Sequence, residues 1–383
     1  MSLRSVVVVG AGLAGVTVCS GLRDRGYDGE LVLLSDEAVE PYDRPPLSKE
    51  LLLGEHQEIR LRDSAFYRDN AIDLRLSCAA VDLSPAESSV ALAGGGSVRG
   101  DAVVLATGGR PRRLPVPGGE QGHVLRTIED ALRLREFLRP GARIVVVGGG
   151  LIGAEVASAA VAHGCQVVVT DPDPLPLAAA VGPYVSRWLV DEQIRAGVRV
   201  ISAGVVEIGA EGRSVRVSDG TVLDADAAVT GVGIEPGTTL AAAAGLEVAN
   251  GIMVDAAQRT SNPAVFAVGD AARVRDAPRV EHWDAAIQAG YAVAAALLGE
   301  PAPVRTAPWW WTDRHGHHVE VTGVVPKGHE PQLLGEPSEA RFIAYWANDD
   351  GTLLAAVAVN QGRRSRIVRR LVQSGASVTE LAE

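Results

Sequence analysis

Two glycine clusters carry the clearest chemical signal in this chain of 383 residues. Gly10, Gly12 and Gly15 follow the apolar run Val6 to Val9, and Gly148, Gly150 and Gly153 follow Ile144 to Val147. In such a pattern the first glycine allows a tight turn and the second lets the backbone approach a pyrophosphate. The third lets helix and strand pack closely. Free N–H groups at the start of the following helix complete an anion cradle. An acid closes each unit. Asp36 stands 21 residues after Gly15 and Asp171 stands 18 after Gly153, both placed to accept hydrogen bonds from a ribose.

One such glycine pattern arises easily by chance among 43 glycines, but two complete units imply two dinucleotides. The economical pairing is FAD with NAD(P)H, because a flavin accepts the hydride that a nicotinamide donates. Around Asp171 the chain reads Asp171-Pro172-Asp173-Pro174-Leu175, with no Arg or Lys for a 2′-phosphate. The second unit is therefore assigned to NADH and the first to FAD. Two later segments support the FAD assignment. Ala102 to Leu105 runs into Ala106-Thr107-Gly108-Gly109-Arg110, and Val265 to Val268 ends at Gly269-Asp270. A carboxylate at that edge of a sheet suits the ribitol hydroxyls, and it can also cap a helix.

The elements that must position these residues are strands and helices in alternation. Val6 to Val9 reads as a strand, followed by a helix to about Arg25 and a strand Leu31 to Leu34. Ile144 to Val147, a helix through about His163 and Val167 to Val169 repeat the order. Runs of β-branched residues mark strands buried on both faces of a parallel sheet. The fold class is α/β, with two Rossmann-like dinucleotide-binding domains. A net charge of −11 excludes general binding to nucleic acid or anionic membranes. No apolar stretch reaches the roughly 18 residues of a membrane span. The glycines within Met1 to Leu22 read as a strand and turn rather than a secretory leader. Cys19, Cys78 and Cys165 are isolated, too few for a disulfide framework or a four-cysteine zinc site, and suit a cytoplasmic protein.

Several longer stretches resemble one family. They are Pro41-Tyr42-Asp43-Arg44-Pro45-Pro46-Leu47-Ser48-Lys49, Ala106 to Arg112, Leu125-Arg126-Thr127, Val145 to Val156, Asn250-Gly251-Ile252, Val265 to Asp270 and Pro308 to Asp313. Together they are similar to the FAD-dependent, NADH-linked ferredoxin reductases, the flavoprotein components of Rieske oxygenase and bacterial cytochrome P450 systems. The resemblance implies a glutathione-reductase-like FAD domain at 1–110 and 234–305, an NAD domain at 111–233 and a C-terminal α+β interface domain at 306–383. It implies that Ala14 and Asp36 contact the adenosine half of FAD, with Cys78 acting through its backbone. Lys49 would lie near the reactive edge of the flavin, Arg126 and Asp270 on its ribitol and phosphate side, and Trp283 at its pyrimidine edge. Arg44, Thr107 and Gly108 lie in the matched FAD motifs, and Trp311 matches the family position that reaches toward the flavin. Ile152, Glu155, Asp171 and Gly233 fall where the family contacts NAD.

Lys49 has support of its own, since the chain holds only two Lys (Lys49 and Lys327) against 34 Arg. A Lys in so Arg-rich a chain suggests a site that wants a compact ammonium. Its expected partner is Glu155, whose other reading is a carboxylate favoured by the helix dipole. The implied activity passes hydride from NADH to FAD and then single electrons to an acidic iron–sulfur ferredoxin. Arg363, Arg364, Arg366, Arg369 and Arg370 read either as a steering patch for that partner or as a solvated helix face. A stand-alone NADH oxidase and a signalling flavoprotein of the apoptosis-inducing-factor type remain as alternatives. No cysteine pair or motif cysteine supports disulfide or peroxide chemistry, and Cys19 and Cys165 read as small core residues. No metal site is expected at His315, His317 and His318. Asn360-Gln361-Gly362-Arg363 and Leu175 depart from the family pattern, which leaves partner recognition and fine NAD affinity open.

Overall fold

The computed structural model describes residues 3–55 and 58–381. The backbone gathers into two compact units. The first comprises Met1–Asp43, Glu58–Arg110 and Ile234–Arg305, and the second Arg44–Gln57, Pro111–Gly233 and Thr306–Glu383.

The first unit is built on a five-stranded sheet in the order Val265–Ala267, Ala102–Leu105, Ser5–Val9, Glu30–Leu34 and Ile72–Arg75. All its pairings are parallel. Val6 to Val9 lie at its centre and are buried, as a strand covered on both faces requires. The helix Leu13–Asp24 packs on one face beside the helix Trp283–Leu297, where a Cβ on Gly290 would stand 2.8 Å from Thr17. Cys19 sits in this core as expected, and burial pushes its thiol up to about 12.

The second unit contains a four-stranded parallel sheet in the order Arg199–Ile201, Gln166–Thr170, Arg143–Val147 and Ala227–Thr230. It also contains a five-stranded antiparallel sheet in the order Trp309–Arg314, His317–Gly323, Leu353–Val359, Arg341–Ala347 and Gln332–Glu336. The helix Arg363–Ser374 closes that sheet by burying Val368, Leu371 and Val372 against Ile343, Leu353 and Ala356. Along Trp309–Arg314 the burial alternates, with Trp310, Thr312 and Arg314 inside.

The expected strands and glycine-following helices form within one or two residues of the bounds read from the sequence. Cys165 departs from its expected burial. It lies beside the strand Gln166–Thr170 as read from the sequence, but it is only partly buried, and its thiol donates to the carbonyl of Arg139. Among the described residues no helix is long and apolar enough to cross a membrane.

Candidate functional site

In each unit two of the glycines leave no room for a Cβ and one faces open space. Gly10 (φ +107°) and Gly148 (φ +101°) take a conformation that other residues resist, and a Cβ there would meet Ala106 O at 2.2 Å or Gly231 O at 2.5 Å. Gly15 and Gly153 are packing glycines, since an added Cβ would stand 2.0 Å from Gly10 O and 1.9 Å from Gly148 O. Gly12 and Gly150 differ, because a Cβ on either would meet nothing within 4 Å. Both cap helices, Leu13–Asp24 and Leu151–Ala162, that have no side-chain cap. Open space above an uncapped helix N-terminus is what a pyrophosphate needs, so both cradles fit a dinucleotide.

Each acid lies just past the end of its strand. Asp171 is tied to the glycine loop: its Oδ2 accepts the N–H of Gly149 at 2.7 Å and its Oδ1 that of Asp173 at 2.9 Å. Asp36 is exposed, and beside it the Cys78 amide donates to Ser35 O at 2.6 Å. Ala14 is buried in the first turn of its helix, while Ile152 is 41% exposed in the first turn of the other. Gly233 (φ +95°) accepts the Arg112 amide at 2.9 Å.

The other expected FAD residues fall into local clasps. In the first unit, Thr107 Oγ1 donates to Gly237 O at 2.5 Å while Gly108 O accepts the Gly237 amide at 2.8 Å. Asp270 lies in a short 3-10 turn, and its backbone carbonyl accepts Arg279 Nη1 at 2.8 Å. The Trp283 indole donates to Asp43 Oδ1 at 2.8 Å. In the second unit, Arg44 donates to the carbonyl of Arg126, whose amide is held by Asp130 at 3.0 Å within the Thr127–Asp130 capping box. Trp311 stacks on Trp309, with ring centroids 5.0 Å apart and planes at 24°. Trp309 in turn lies under Arg369, whose guanidinium carbon is 4.2 Å from the ring centroid, and donates to Glu320 at 2.9 Å.

Lys49 and Glu155 meet in the second unit. The ammonium is 2.8 Å from Glu155 Oε1, and the two side chains are only 11% and 3% exposed. Glu155 lies beyond the first helical turn, so the helix-dipole reading does not account for it. It accepts two more hydrogen bonds that sequence reasoning missed, from Ser48 to Oε2 and from Thr312 to Oε1 at 2.7 Å. Ser48 directly precedes Lys49. Thr312 has one faint signal in the sequence, a small polar residue directly after three tryptophans. Among the described residues no group of His, Cys, Asp and Glu could hold a metal.

The fold and the two cradles define a dinucleotide-dependent oxidoreductase with two separate nucleotide-binding units. The family model for pyridine nucleotide-disulphide oxidoreductases matches residues 4–290, and the Reductase C-terminal model matches 309–382. The chain belongs to the pyridine nucleotide-disulphide oxidoreductase family and is an enzyme of its FAD- and NAD(H)-dependent ferredoxin reductase type. It is similar to putidaredoxin reductase as solved in a covalent complex with putidaredoxin (31% identity, 100% of this chain and 96% of the other, TM-score 0.93). It is also similar to the ferredoxin reductase for the CYP199A2 system of Rhodopseudomonas palustris (34% identity, 98% and 96% covered, TM-score 0.92). A third similar structure is that of Fdr9 (36% identity, 99% and 97% covered, TM-score 0.87).

Proposed function

We propose that this enzyme takes hydride from NADH and delivers single electrons to a small acidic iron–sulfur ferredoxin that supplies a cytochrome P450 or a Rieske oxygenase. FAD, when bound, supplies the conversion of a two-electron input into one-electron outputs. The observation that carries the reading is the buried Lys49–Glu155 pair on a chain with two open glycine cradles and three cysteines that stand apart. Disulfide and peroxide reduction by relatives of this fold need a reactive thiol. Here Cys19 is buried with its thiol pushed up, and burial raises that of Cys165 as well.

The chain's own residues divide the work. Gly10 to Gly15 with Asp36 would hold FAD, joined by Arg44, Cys78, Thr107, Gly108, Arg126, Asp270 and Trp283. Gly148 to Gly153 with Ile152, Asp171 and Gly233 would hold NADH. We assign FAD binding to 1–110 and 234–305, NAD binding to 111–233 and partner docking to 306–383. Lys49 would stabilise negative charge on the flavin, Glu155 holds that ammonium in place, and Trp311 would shield the ring. The context is cytoplasmic.

Arg363, Arg366 and Arg370 are exposed on the C-terminal helix, whereas Arg364 is tied to Leu381 O and Arg369 covers Trp309. The exposed three would steer an acidic partner, which affects encounter rate more than affinity. The test is NADH-driven cytochrome c reduction with an acidic ferredoxin as carrier. The expected rate depends on added ferredoxin and falls severalfold as salt rises from about 0.05 to 0.5 M, where screening shortens to a few ångströms. Oxygen consumption that is equally fast without ferredoxin would instead mark a stand-alone NADH oxidase.

A further inference from the structure

Around Glu155 the second unit buries more positive charge than negative. The carboxylate faces Lys49 from one side, while the hairpin of Trp309–Arg314 and His317–Gly323 reaches it from another. That hairpin places Thr312 and Arg314 on the same inner face, two residues apart. Thr312 donates to Glu155, and the amide of His315 at the hairpin turn donates to Ser158 Oγ at 2.7 Å, one turn further along the same helix. The hairpin tip is thus fastened to the helix at two points.

Arg314 is 6% exposed, and its Nε has no hydrogen-bond partner among the described residues. Its neighbours Thr312 and His315 are bonded to Glu155 and Ser158, which sets Arg314 on the face of the hairpin toward Glu155, and that carboxylate opposes the effect of burial on the guanidinium. His315 adds no charge, because burial first and Arg314 second push it down to about 4. The charged groups facing Glu155 are therefore two cations, Lys49 and Arg314. An isolated buried guanidinium is costly, so its persistence beside one carboxylate points to a shared counter-ion.

We propose that Arg314 is a positioning residue for the Lys49–Glu155 pair. As the second counter-ion of Glu155, it leaves the Lys49 ammonium only partly neutralised, so that its field remains available to the reduced flavin. This rests on the function proposed above. Without Arg314 a single carboxylate would cancel Lys49 fully.

The test has two arms, both on the FAD-loaded protein. In the first, melting temperatures are measured for Glu155→Gln, Arg314→Gln and the double variant. Glu155→Gln leaves two buried cations with no anion between them, so adding Arg314→Gln should recover about half or more of its loss, a coupling that only interacting charges produce. In the second, NADH-driven flavin reduction is followed by stopped flow. Arg314→Gln should slow the rate at saturating NADH about tenfold, with KM for NADH within about twofold, and Arg314→Lys should restore the rate. Additive melting losses, or a rate that Arg314→Gln leaves unchanged, would overturn the proposal. A wild-type protein whose flavin NADH cannot reduce overturns the functional reading instead, and the melting arm still decides whether the charges are coupled.

Discussion

The carboxylate of Asp171 is anchored to the turn it serves, with Oδ2 accepting the Gly149 N–H at 2.7 Å in the middle of the second glycine cluster. That bond fixes the acid at the lip of the cradle with lone pairs left for a ribose. Asp173 follows closely, its own Oδ1 held by the Leu175 amide at 2.9 Å, so two negative charges stand beside the glycine loop, where they would repel a 2′-phosphate. Replacing Asp171 with Ala should raise KM for NADH about tenfold or more, the loss of one hydrogen bond to a charged group. Steady-state kinetics with both nucleotides check this. Discrimination against NADPH should shrink in the same variant, because one repelling charge has gone.

The two kinds of glycine separate folding from binding. Gly12→Thr and Gly150→Thr place a side chain in open space at positions where Thr is a good helix cap, so the melting temperature of the apoprotein should hold. FAD retention in the first variant, and NADH affinity in the second, should fall tenfold or more. Gly15→Ala drives a Cβ into Gly10 O and should cost about 1–3 kcal/mol of stability, the usual range for overpacking. Thermal melting and flavin content measured on the same samples distinguish the outcomes.

His318 predicts a pH dependence of stability. Its Nδ1 lies 2.5 Å from Asp313 and its Nε2 3.3 Å from Glu320. These bonds, Asp313 first, raise it to about 9. A histidine held above its unfolded value of about 6.5 contributes stability that is complete below that value and lost as pH rises through the folded one. The melting-temperature gap between wild type and His318→Gln should therefore close between about pH 6.5 and pH 9 to 10. A gap that stays constant across that window would show that the imidazole is neutral in the fold. Because Glu320 also accepts the Trp309 indole, the same variant should loosen the Trp309–Trp311 stack, which tryptophan fluorescence can follow.

Both glycine units are legible in the amino-acid sequence because their constraints are local. A turn, a helix start and a β-branched strand leave their marks within about 30 residues. Lys49 stands out by rarity, and Glu155 by its place after the second cluster. The rest of the charge cluster is hidden in the sequence because it is assembled across the chain. Thr312 reaches Glu155 over 157 positions, and nothing near Arg314 in sequence says that its strand will lie on that helix. Cys165 misleads for a related reason: cysteine is a residue type that is usually buried, but here it sits just outside the strand between the exposed Gly164 and Gln166. The triple tryptophan shows its bulk in the sequence and not its division of labour. Alternation sends Trp310 into the core and leaves Trp309 and Trp311 to stack on the other face.

The most direct measurement is an anaerobic titration of the purified, FAD-loaded protein with NADH, followed through the visible flavin band. The account predicts complete bleaching with about one equivalent of NADH, as one hydride per flavin requires, and far slower bleaching with NADPH. Protein that retains no FAD after reconstitution, or a bound flavin that stays oxidised in excess NADH, would contradict it.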